Sequence, residues 1–183
     1  MKNKICCFSG HRKMSEEKSK VYEKLNKQIN ILINEGYDTF ICGGALGFDT
    51  LCALAVLKAK DNNECIKLVL ALPCENQTKN WRQNDIDIYN SIIEKSDKVI
   101  YTSSQYYNGC MHRRNRFMVD NSSCCICYLN NSYGGTAYTV KYADCQGLRI
   151  INLAEHYGTD ASEEEGIKCV PRKRKILRES IKR

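Results

Sequence analysis

The sequence predicts an α/β fold with an open, mostly parallel sheet that carries helices on both faces. Strand-like and helix-like segments alternate along most of the chain, and several strands are short and apolar throughout. Strands without polar alternation are typical of a parallel sheet that is covered on both sides. In addition, glycines and reactive side chains cluster directly after the strands, which is where such sheets bind ligands.

Six strands are predicted because each is a short apolar run that glycine, proline or polar residues interrupt. Gly10 follows the first run, Gly43 and Gly44 follow the second, and Pro73 ends the third. In chain order the predicted strands cover residues 4–8, 39–42, 66–72, 99–101, 124–129 and 148–153.

Five helices are predicted between these strands because apolar residues recur there every three or four positions. The first carries Val21 and Leu25 at this spacing, and Gly36 follows it like a C-terminal glycine cap. The third has Ile88 and Ile92 on its predicted apolar face. In chain order the predicted helices cover residues 16–35, 48–60, 80–96, 113–119 and 136–146.

The length and the charge distribution predict one globular domain followed by a basic extension. A chain of 183 residues has room for one domain with a real core, and we assign residues 1–154 to a ligand-binding domain and 155–183 to the extension. The net charge is +7, but residues 168–183 hold eight bases and one acid, so residues 1–167 are neutral. A neutral body argues against a fold that grips duplex nucleic acid. Weak contact between the basic extension and nucleic acid remains an alternative.

The composition favours a cytoplasmic protein with no membrane partner. No run approaches the roughly 18 apolar residues of a membrane span, and the N-terminus does not resemble a secretory signal. The 12 cysteines lie mostly in apolar runs, so we interpret them as small core residues in a reducing compartment. Cys124 and Cys127 have C-x-x-C spacing, but a strand points them to opposite faces. We therefore predict no metal and no cofactor, with zinc or redox chemistry as the alternative.

The first candidate ligand loop follows the first predicted strand. Ser9 and Gly10 leave room for a ligand to approach the backbone, and His11 and Arg12 supply potential cations. The loop suits an anion such as a phosphate. The alternative is that His11 is a solvated loop residue.

The second candidate loop joins the second strand to the second helix. A glycine-rich turn directs backbone N–H groups toward a phosphate, and the positive end of the next helix adds to the attraction. Asp49 is either a ligand contact or a helix cap, and close packing of strand on helix is the alternative for the glycines. The predicted site residues here are Gly43, Gly44, Ala45, Gly47, Phe48 and Asp49.

A third glycine-rich turn, Gly134-Gly135-Thr136, follows the fifth strand, and we expect it to converge with the second turn on one phosphate-bearing ligand. Upstream lies a run with three arginines, which we expect to bring their guanidinium groups toward the same edge. Arg114 is the predicted ligand contact, with a surface salt bridge as the alternative. Trp81 is predicted either to stack on a base or ribose, or to pack its helix onto the sheet.

Taken as an ordered set, these motifs resemble the YpsA family of the SLOG superfamily. The superfamily includes the DNA-processing protein DprA and the lonely-guy cytokinin-activating enzymes. The resemblance covers residues 1 to about 153 and implies a Rossmann-like fold, a nucleotide site and a homodimer. The residues that carry it are Ser9-Gly10-His11-Arg12, Gly43 to Asp49, Gln77 with Trp81, Arg114-Asn115 with Met118-Val119-Asp120, and Gly134-Gly135-Thr136 with Tyr138-Thr139-Val140.

The enzymatic branch differs from this chain at one important position. The resemblance implies that a glutamate three residues after the threonine of the third loop works with the arginine to break the base–ribose bond. In this chain that position is Thr139, and a hydroxyl cannot replace a carboxylate in this chemistry. No catalytic residue is therefore assigned.

The sequence thus favours a cytoplasmic sensor that binds a nucleotide or nucleotide-derived small molecule without hydrolysing it. The first alternative is a phosphoribohydrolase of nucleoside 5′-monophosphates that uses Asp49 or Asp120 as a displaced acid. The second is a DprA-like protein that binds single-stranded nucleic acid.

Overall fold

The computed structural model describes residues 4–155, in which strands and helices alternate along the chain. The predicted extension lies almost wholly outside the described residues, so its boundary stays a prediction. The elements are β1 (Ile5–Gly10), α1 (Lys18–Asn34), β2 (Thr39–Cys42), α2 (Phe48–Asn62), β3 (Lys67–Leu72), α3 (Gln83–Lys95), β4 (Lys98–Tyr101), α4 (Cys110–Asp120), β5 (Cys124–Tyr128), α5 (Gly134–Cys145) and β6 (Arg149–Asn152).

The six strands form one sheet in the order β4-β3-β2-β1-β5-β6, and every neighbouring pair is parallel. From β1 the chain adds strands outward on one side as far as β4, then returns to add β5 and β6 on the other side. The order therefore reverses between β1 and β5. In an open parallel sheet, the crevice at this point lies beyond the carboxyl ends of the strands and is the usual ligand site.

Helices cover both faces of the sheet, as the sequence predicted. One face packs against α1, α2 and α3 through a cluster that includes Phe8, Leu25 and Val56. The other face packs against α4 and α5 through a smaller cluster that includes Ile41 and Met118. Because successive residues of a strand point to opposite faces, both faces of every central strand are apolar. The predicted α/β class is confirmed.

The element boundaries differ from the predicted ones mainly at the helices. Helix α4 begins at Cys110, three residues earlier than expected, and α3 begins at Gln83, so Trp81 precedes the helix rather than lying within it. Ile88 is 43% exposed, and its assignment to the apolar face of α3 was wrong. That face is formed by Tyr89 and Ile92 instead.

Most of the cysteines that the structure describes are small residues of the core. Ten are free thiols, of which nine are buried and Cys65 is exposed. Cys124 packs on the face of α1 to α3 and Cys127 on the opposite face, as strand geometry predicted. Within residues 4–155 no group of three or more histidine, cysteine or carboxylate side chains is arranged to hold a metal ion.

Between residues 4 and 155, none of the helices has both the length and the apolar character that crossing a membrane requires.

Candidate functional site

A cavity of about 280 Å³ opens at the carboxyl end of β1, beside the point where the strand order reverses. We call it the central cavity. The β1–α1 and β2–α2 loops and the first turn of α5 reach it, and α4 forms a further wall. The two glycine-rich turns, which are far apart in the sequence, thus lie on one cavity. Of the predicted site residues, those on its walls are Ser9, Gly10, His11, Arg12, Ala45, Asp49, Arg114, Gly135 and Thr136.

The remaining predicted residues stand behind or beside these walls. Gly47 packs so closely on the backbone of Arg12 that any side chain there would overlap it, and its φ is +83°. The backbone N–H of Phe48 donates to the carbonyl oxygen of His11 over 3.2 Å, which ties the first loop to the second. The predicted residues outside the lining are Gly43, Gly44, Gly47, Phe48, Trp81 and Gly134.

Trp81 is partly buried, packs against the core and does not line the central cavity. Its ring meets Tyr89 edge-on, with centroids 5.3 Å apart. The side-chain Nε2 of Gln77 donates to the hydroxyl of Tyr89 over 2.9 Å and to the carbonyl oxygen of Gly44 over 3.2 Å. This group braces the β2–α2 loop from the side of α3, so the geometry favours the packing alternative for Trp81.

Arg114 is the electrostatic centre of the cavity. It is only 5% exposed, and its Nη1 donates to the carbonyl oxygen of Gly43 and lies 3.7 Å from Oδ2 of Asp49. Its Nε is buried and has no hydrogen-bond partner within residues 4–155. A buried donor of this kind gains most from an acceptor that enters the cavity.

Asp49 is the carboxylate that faces Arg114, and it is 6% exposed. Burial raises its pKa above the ordinary value, and the Arg114 charge together with a 3.2 Å hydrogen bond from the N–H of Ala45 partly offsets this rise. Asp49 therefore accepts a hydrogen bond from a backbone N–H of the β2–α2 loop that was predicted to face a phosphate.

His11 is a second polar side chain whose hydrogen-bonding capacity is unused. Its Nε2 is buried against the cavity and lacks a partner in the described part of the chain. Burial lowers the pKa of this imidazole, because desolvation disfavours the protonated form. The alternative of a fully solvated loop residue does not fit this position.

Thr139, which stands where the related hydrolases have glutamate, points into the protein and is 1% exposed. Its hydroxyl donates to the carbonyl oxygen of Gly135 over 2.7 Å and accepts from Nδ2 of Asn115 over 2.8 Å. These bonds tie the third glycine-rich turn to α4. The position has become a structural link between two cavity walls.

The three arginines of α4 diverge instead of converging. Arg114 alone reaches the central cavity, because each residue along a helix turns by about 100°. Arg116 stacks over Tyr138 and Tyr142 on the outer surface, and Arg113 lies on a separate groove. Asp120 bonds to the hydroxyl of Tyr142 over 2.8 Å and also lies outside the cavity.

Several cavity residues had not been assigned to the site from the sequence. Three of them, Met111, Asn115 and Met118, lie on the same face of α4 as Arg114, and Phe8 lies at the floor. Met111 and Met118 lie three and four positions from Arg114, and Asn115 lies four positions from Met111. This spacing was the available signal, since such residues share a helix face. The cavity thus combines an apolar floor with a buried cation and two unsatisfied donors or acceptors.

Comparison with known proteins gives one matching family model and several similar sequences. The family model YpsA, described as the YspA SLOG family, matches residues 5–149. The uncharacterised SPbeta prophage-derived protein YoqJ of Bacillus subtilis is 28% identical over 137 residues, which are 68% of this chain and 80% of that protein. A UPF0398 protein of Halalkalibacterium halodurans is 27% identical over 126 residues, 67% of each chain.

Among solved structures, DNA processing protein A (DprA) from Streptococcus pneumoniae has a similar fold. The TM-score is 0.59 at 16% sequence identity, and the match covers 81% of this chain. This chain spans about half of the DprA chain, 49% of its length. At this identity the likeness extends to the fold alone.

Proposed function

This chain belongs to the YpsA SLOG family, and from that premise we propose that it binds a nucleotide or nucleotide-derived small molecule in the central cavity. We further propose that it acts in the cytoplasm as a sensor or regulator and does not hydrolyse its ligand. The observation that carries the proposal is the buried guanidinium of Arg114, which lines a cavity at the strand-order reversal and whose Nε has no partner within residues 4–155.

The phosphate is assigned to the side of the cavity formed by α5. The exposed turn at Gly134 and Gly135 opens the first turn of a 12-residue helix that has no acidic residue there. Free N–H groups and the positive end of the helix dipole favour an anion at this point. Arg12, whose side chain is exposed and makes no ion pair within residues 4–155, supplies a second cation.

The ribose is assigned to the side of Asp49, and the base to the cavity mouth. A carboxylate accepts hydrogen bonds from sugar hydroxyls, and Asp49 and Ala45 lie side by side on the wall. A volume of about 280 Å³ is at the small end of ligand pockets, which start near ~300 Å³. It suits the phosphate and sugar of one nucleotide, with the base projecting outward.

The absence of hydrolysis is inferred from the carboxylates near the site. Thr139 replaces the glutamate of the related hydrolases and is hydrogen-bonded on both sides. Of the two displaced acids considered, Asp120 lies outside the cavity. Asp49 lines it, and this placement is what supports the phosphoribohydrolase alternative.

Isothermal titration calorimetry with AMP, GMP, CMP and UMP tests the proposal. We expect at least one monophosphate to bind, and we expect its nucleoside without phosphate to bind at least tenfold more weakly. The variant Gly135→Leu is predicted to abolish binding without unfolding the protein, because an added Cβ at Gly135 has no atom within 4 Å. Gly135→Ala is the matched control with a small side chain.

The result that ends the proposal is a folded protein that binds none of these nucleotides and none of a matched panel of cyclic nucleotides and ADP-ribose derivatives. Chromatography of an AMP incubation distinguishes the alternative enzyme. Free adenine that forms with the parent protein, and not with Asp49→Asn, would replace the sensor by a phosphoribohydrolase.

Two parts of the proposal concern partners. The basic residues 168–183 are proposed to give only weak, salt-dependent contact with nucleic acid. Truncation at residue 167 tests this, because binding of a single strand that persists would favour the DprA-like alternative. Homodimer formation is the second part, and light scattering after size-exclusion chromatography tests it.

A further inference from the structure

A second concave region lies at the same edge of the sheet as the central cavity. It follows β4, has a volume of about 610 Å³, and has Tyr101, Tyr106, Tyr107 and Arg113 on its walls. We call it the tyrosine groove. None of its residues belongs to the nucleotide site proposed above.

The three tyrosines present unusually exposed aromatic surface. Tyr101 is 45% exposed, Tyr106 64% and Tyr107 44%, and all three fall within seven positions of one another. Exposed aromatic rings gathered in one concavity mark a binding surface. The flat faces of tyrosine rings stack on nucleobases of any type.

The loop that carries these rings is fixed at both ends. The N–H of Thr102 donates to the carbonyl oxygen of Leu72 over 2.8 Å, and the N–H of Cys110 donates to that of Tyr107 over 3.1 Å. The loop therefore displays Tyr106 and Tyr107 between two anchored points. A positioned aromatic surface binds a flat ligand with less loss of conformational entropy than a free loop.

The polar groups of the groove suit a base better than a phosphate. Glu75 on one wall repels a phosphate, but its carboxylate can accept hydrogen bonds from the amino groups of bases. The Oγ of Ser103 is a buried atom without a hydrogen-bond partner in residues 4–155, so it is available to a base edge. The guanidinium of Arg113 lines the groove and makes no ion pair in the same part of the chain, so it is available to stack on a base.

The first turn of α4 is the wall between the groove and the central cavity. Met111 and Asn115 line the cavity, and Arg113 lies about 200° away from each of them around the helix axis. The two concavities are thus separated by roughly the 10 Å width of one helix. Two nucleotides joined by one phosphodiester span this distance.

From this arrangement we propose that the tyrosine groove binds a second nucleobase of the same ligand, so that the full ligand is at least a dinucleotide. This inference rests on the proposed nucleotide site in the central cavity. The phosphate and first nucleotide occupy the cavity, and the second base crosses α4 and stacks on Tyr106 and Tyr107. A free dinucleotide and the end of a single strand share this chemistry.

Calorimetry on the full chain with AMP and with the 5′-phosphorylated dinucleotide pApA tests the inference. We expect pApA to bind about tenfold tighter than AMP, which is the typical effect of one added stacked base. The double variant Tyr106→Ala/Tyr107→Ala is expected to lose this gain and to keep its affinity for AMP. Tyr106→Phe/Tyr107→Phe retains the rings and is expected to keep the gain.

The outcomes separate the two proposals. If AMP binds and pApA gains nothing, the second base site is wrong and the nucleotide site stands. If pApA binds equally to the parent protein and to Gly135→Leu, but not to the alanine double variant, the groove binds bases and the central site is wrong. If the protein binds neither these two ligands nor any of the other nucleotides tested above, both proposals end.

Two further arms identify the source of the ligand. A 12-nucleotide single strand that binds no tighter than pApA indicates a free dinucleotide, whereas much tighter binding indicates a strand. A proline-rich peptide that loses affinity in the alanine variant, without any effect on pApA, would overturn the inference in favour of a peptide groove.

Discussion

Arg114 and Gly43 are 71 positions apart in the chain, yet Nη1 of Arg114 donates a hydrogen bond to the carbonyl oxygen of Gly43. The guanidinium lies so close to Gly43 that no side chain fits at that position. The bond joins α4, on one face of the sheet, to the end of β2. It also holds the positive charge opposite Asp49, so the same contact serves the fold and the electrostatics of the cavity.

Removal of Arg114 is predicted to destabilise the protein more at high pH than at low pH. Burial raises the pKa of Asp49 and Arg114 lowers it, so Arg114→Ala raises that pKa further. When a carboxyl has a higher pKa in the folded than in the unfolded state, the protein becomes less stable as pH rises from the unfolded pKa to the folded pKa. Urea unfolding should show a loss of about 3–5 kcal/mol at pH 8 and a smaller loss at pH 5.

The double variant Arg114→Ala/Asp49→Asn is the control for this effect. It lacks the buried carboxyl, so its loss of stability relative to Asp49→Asn should be nearly the same at the two pH values. A pH-independent loss in Arg114→Ala itself would contradict the assignment of Asp49 as its electrostatic partner.

The convergence of the loops was predictable from the sequence, whereas the part that each loop residue plays was not. The carboxyl ends of parallel strands share one edge, so Gly44 and Gly135 were expected near each other. Whether a glycine faces the ligand or the neighbouring chain depends on contacts between distant segments. Gly43 faces Arg114 and Gly47 faces Arg12, and no local pattern contains that information.

The link between the third loop and α4 is predicted to depend on the hydroxyl of Thr139. Thr139→Val keeps the shape of the side chain but leaves the carbonyl oxygen of Gly135 and Nδ2 of Asn115 without this partner. The expected loss of unfolding free energy is about 1–3 kcal/mol. Thr139→Ser, which retains the hydroxyl, should lose much less in the same urea titration. Equal losses would show that the methyl group rather than the hydroxyl matters.

His11 is predicted to make the protein less stable in mild acid. Its pKa in the folded protein is lowered from the ordinary value of 6.5 by burial, so the unfolded chain binds a proton before the folded protein does. The free energy of unfolding therefore decreases as pH falls from above the unfolded pKa of His11 toward its lower folded pKa. The urea midpoint of His11→Gln should fall less than that of the parent between pH 7.5 and pH 5.5. Parallel curves would contradict this role.

Helix α4 and Trp81 also show that the sequence predicts where an element lies better than it predicts which way a side chain points. Apolar spacing predicted the helix, but the prediction placed three arginines at one edge although neighbouring helix positions diverge by about 100°. Only Arg114 faces the cavity. For Trp81, aromatic character alone was compatible with stacking or packing, and the contact with Tyr89 depends on where α3 begins.

Cysteine reactivity is predicted to separate Cys65 from the buried thiols. Cys65 is exposed, whereas the other nine free cysteines that the structure describes are buried, and burial raises the pKa of Cys42 above its ordinary range and that of Cys127 to about 12. Thiolates react and thiols do not, so alkylation of the native protein should label Cys65 before these nine buried cysteines. Peptide mapping after brief treatment with iodoacetamide checks this. Labelling of Cys42 or Cys127 at a comparable rate would mean that the core opens.

The glycine at the start of α2 offers a test of the packing between the first two loops. Gly47 and Gly36 both have positive φ, 83° and 87°, but an added Cβ meets the Arg12 backbone at Gly47 and nothing within 4 Å at Gly36. Both alanine variants bear backbone strain of about 1–3 kcal/mol, and Gly47, whose ψ is −117°, lies outside the left-handed helical region. Gly47→Ala alone also forces the β1–α1 loop away, so its loss of stability should exceed that of Gly36→Ala by more than about 1 kcal/mol.

The affinity for a ligand should also fall more in Gly47→Ala than in Gly36→Ala. Because Arg12 and His11 lie on the displaced loop and line the central cavity, Gly47→Ala is expected to weaken the binding of a nucleoside monophosphate. Gly36→Ala lies at the far end of α1 and is expected to leave that affinity unchanged. Equal stability of the two variants in urea would mean that the β1–α1 loop moves freely, and such a loop does not hold His11 and Arg12 in place for a ligand.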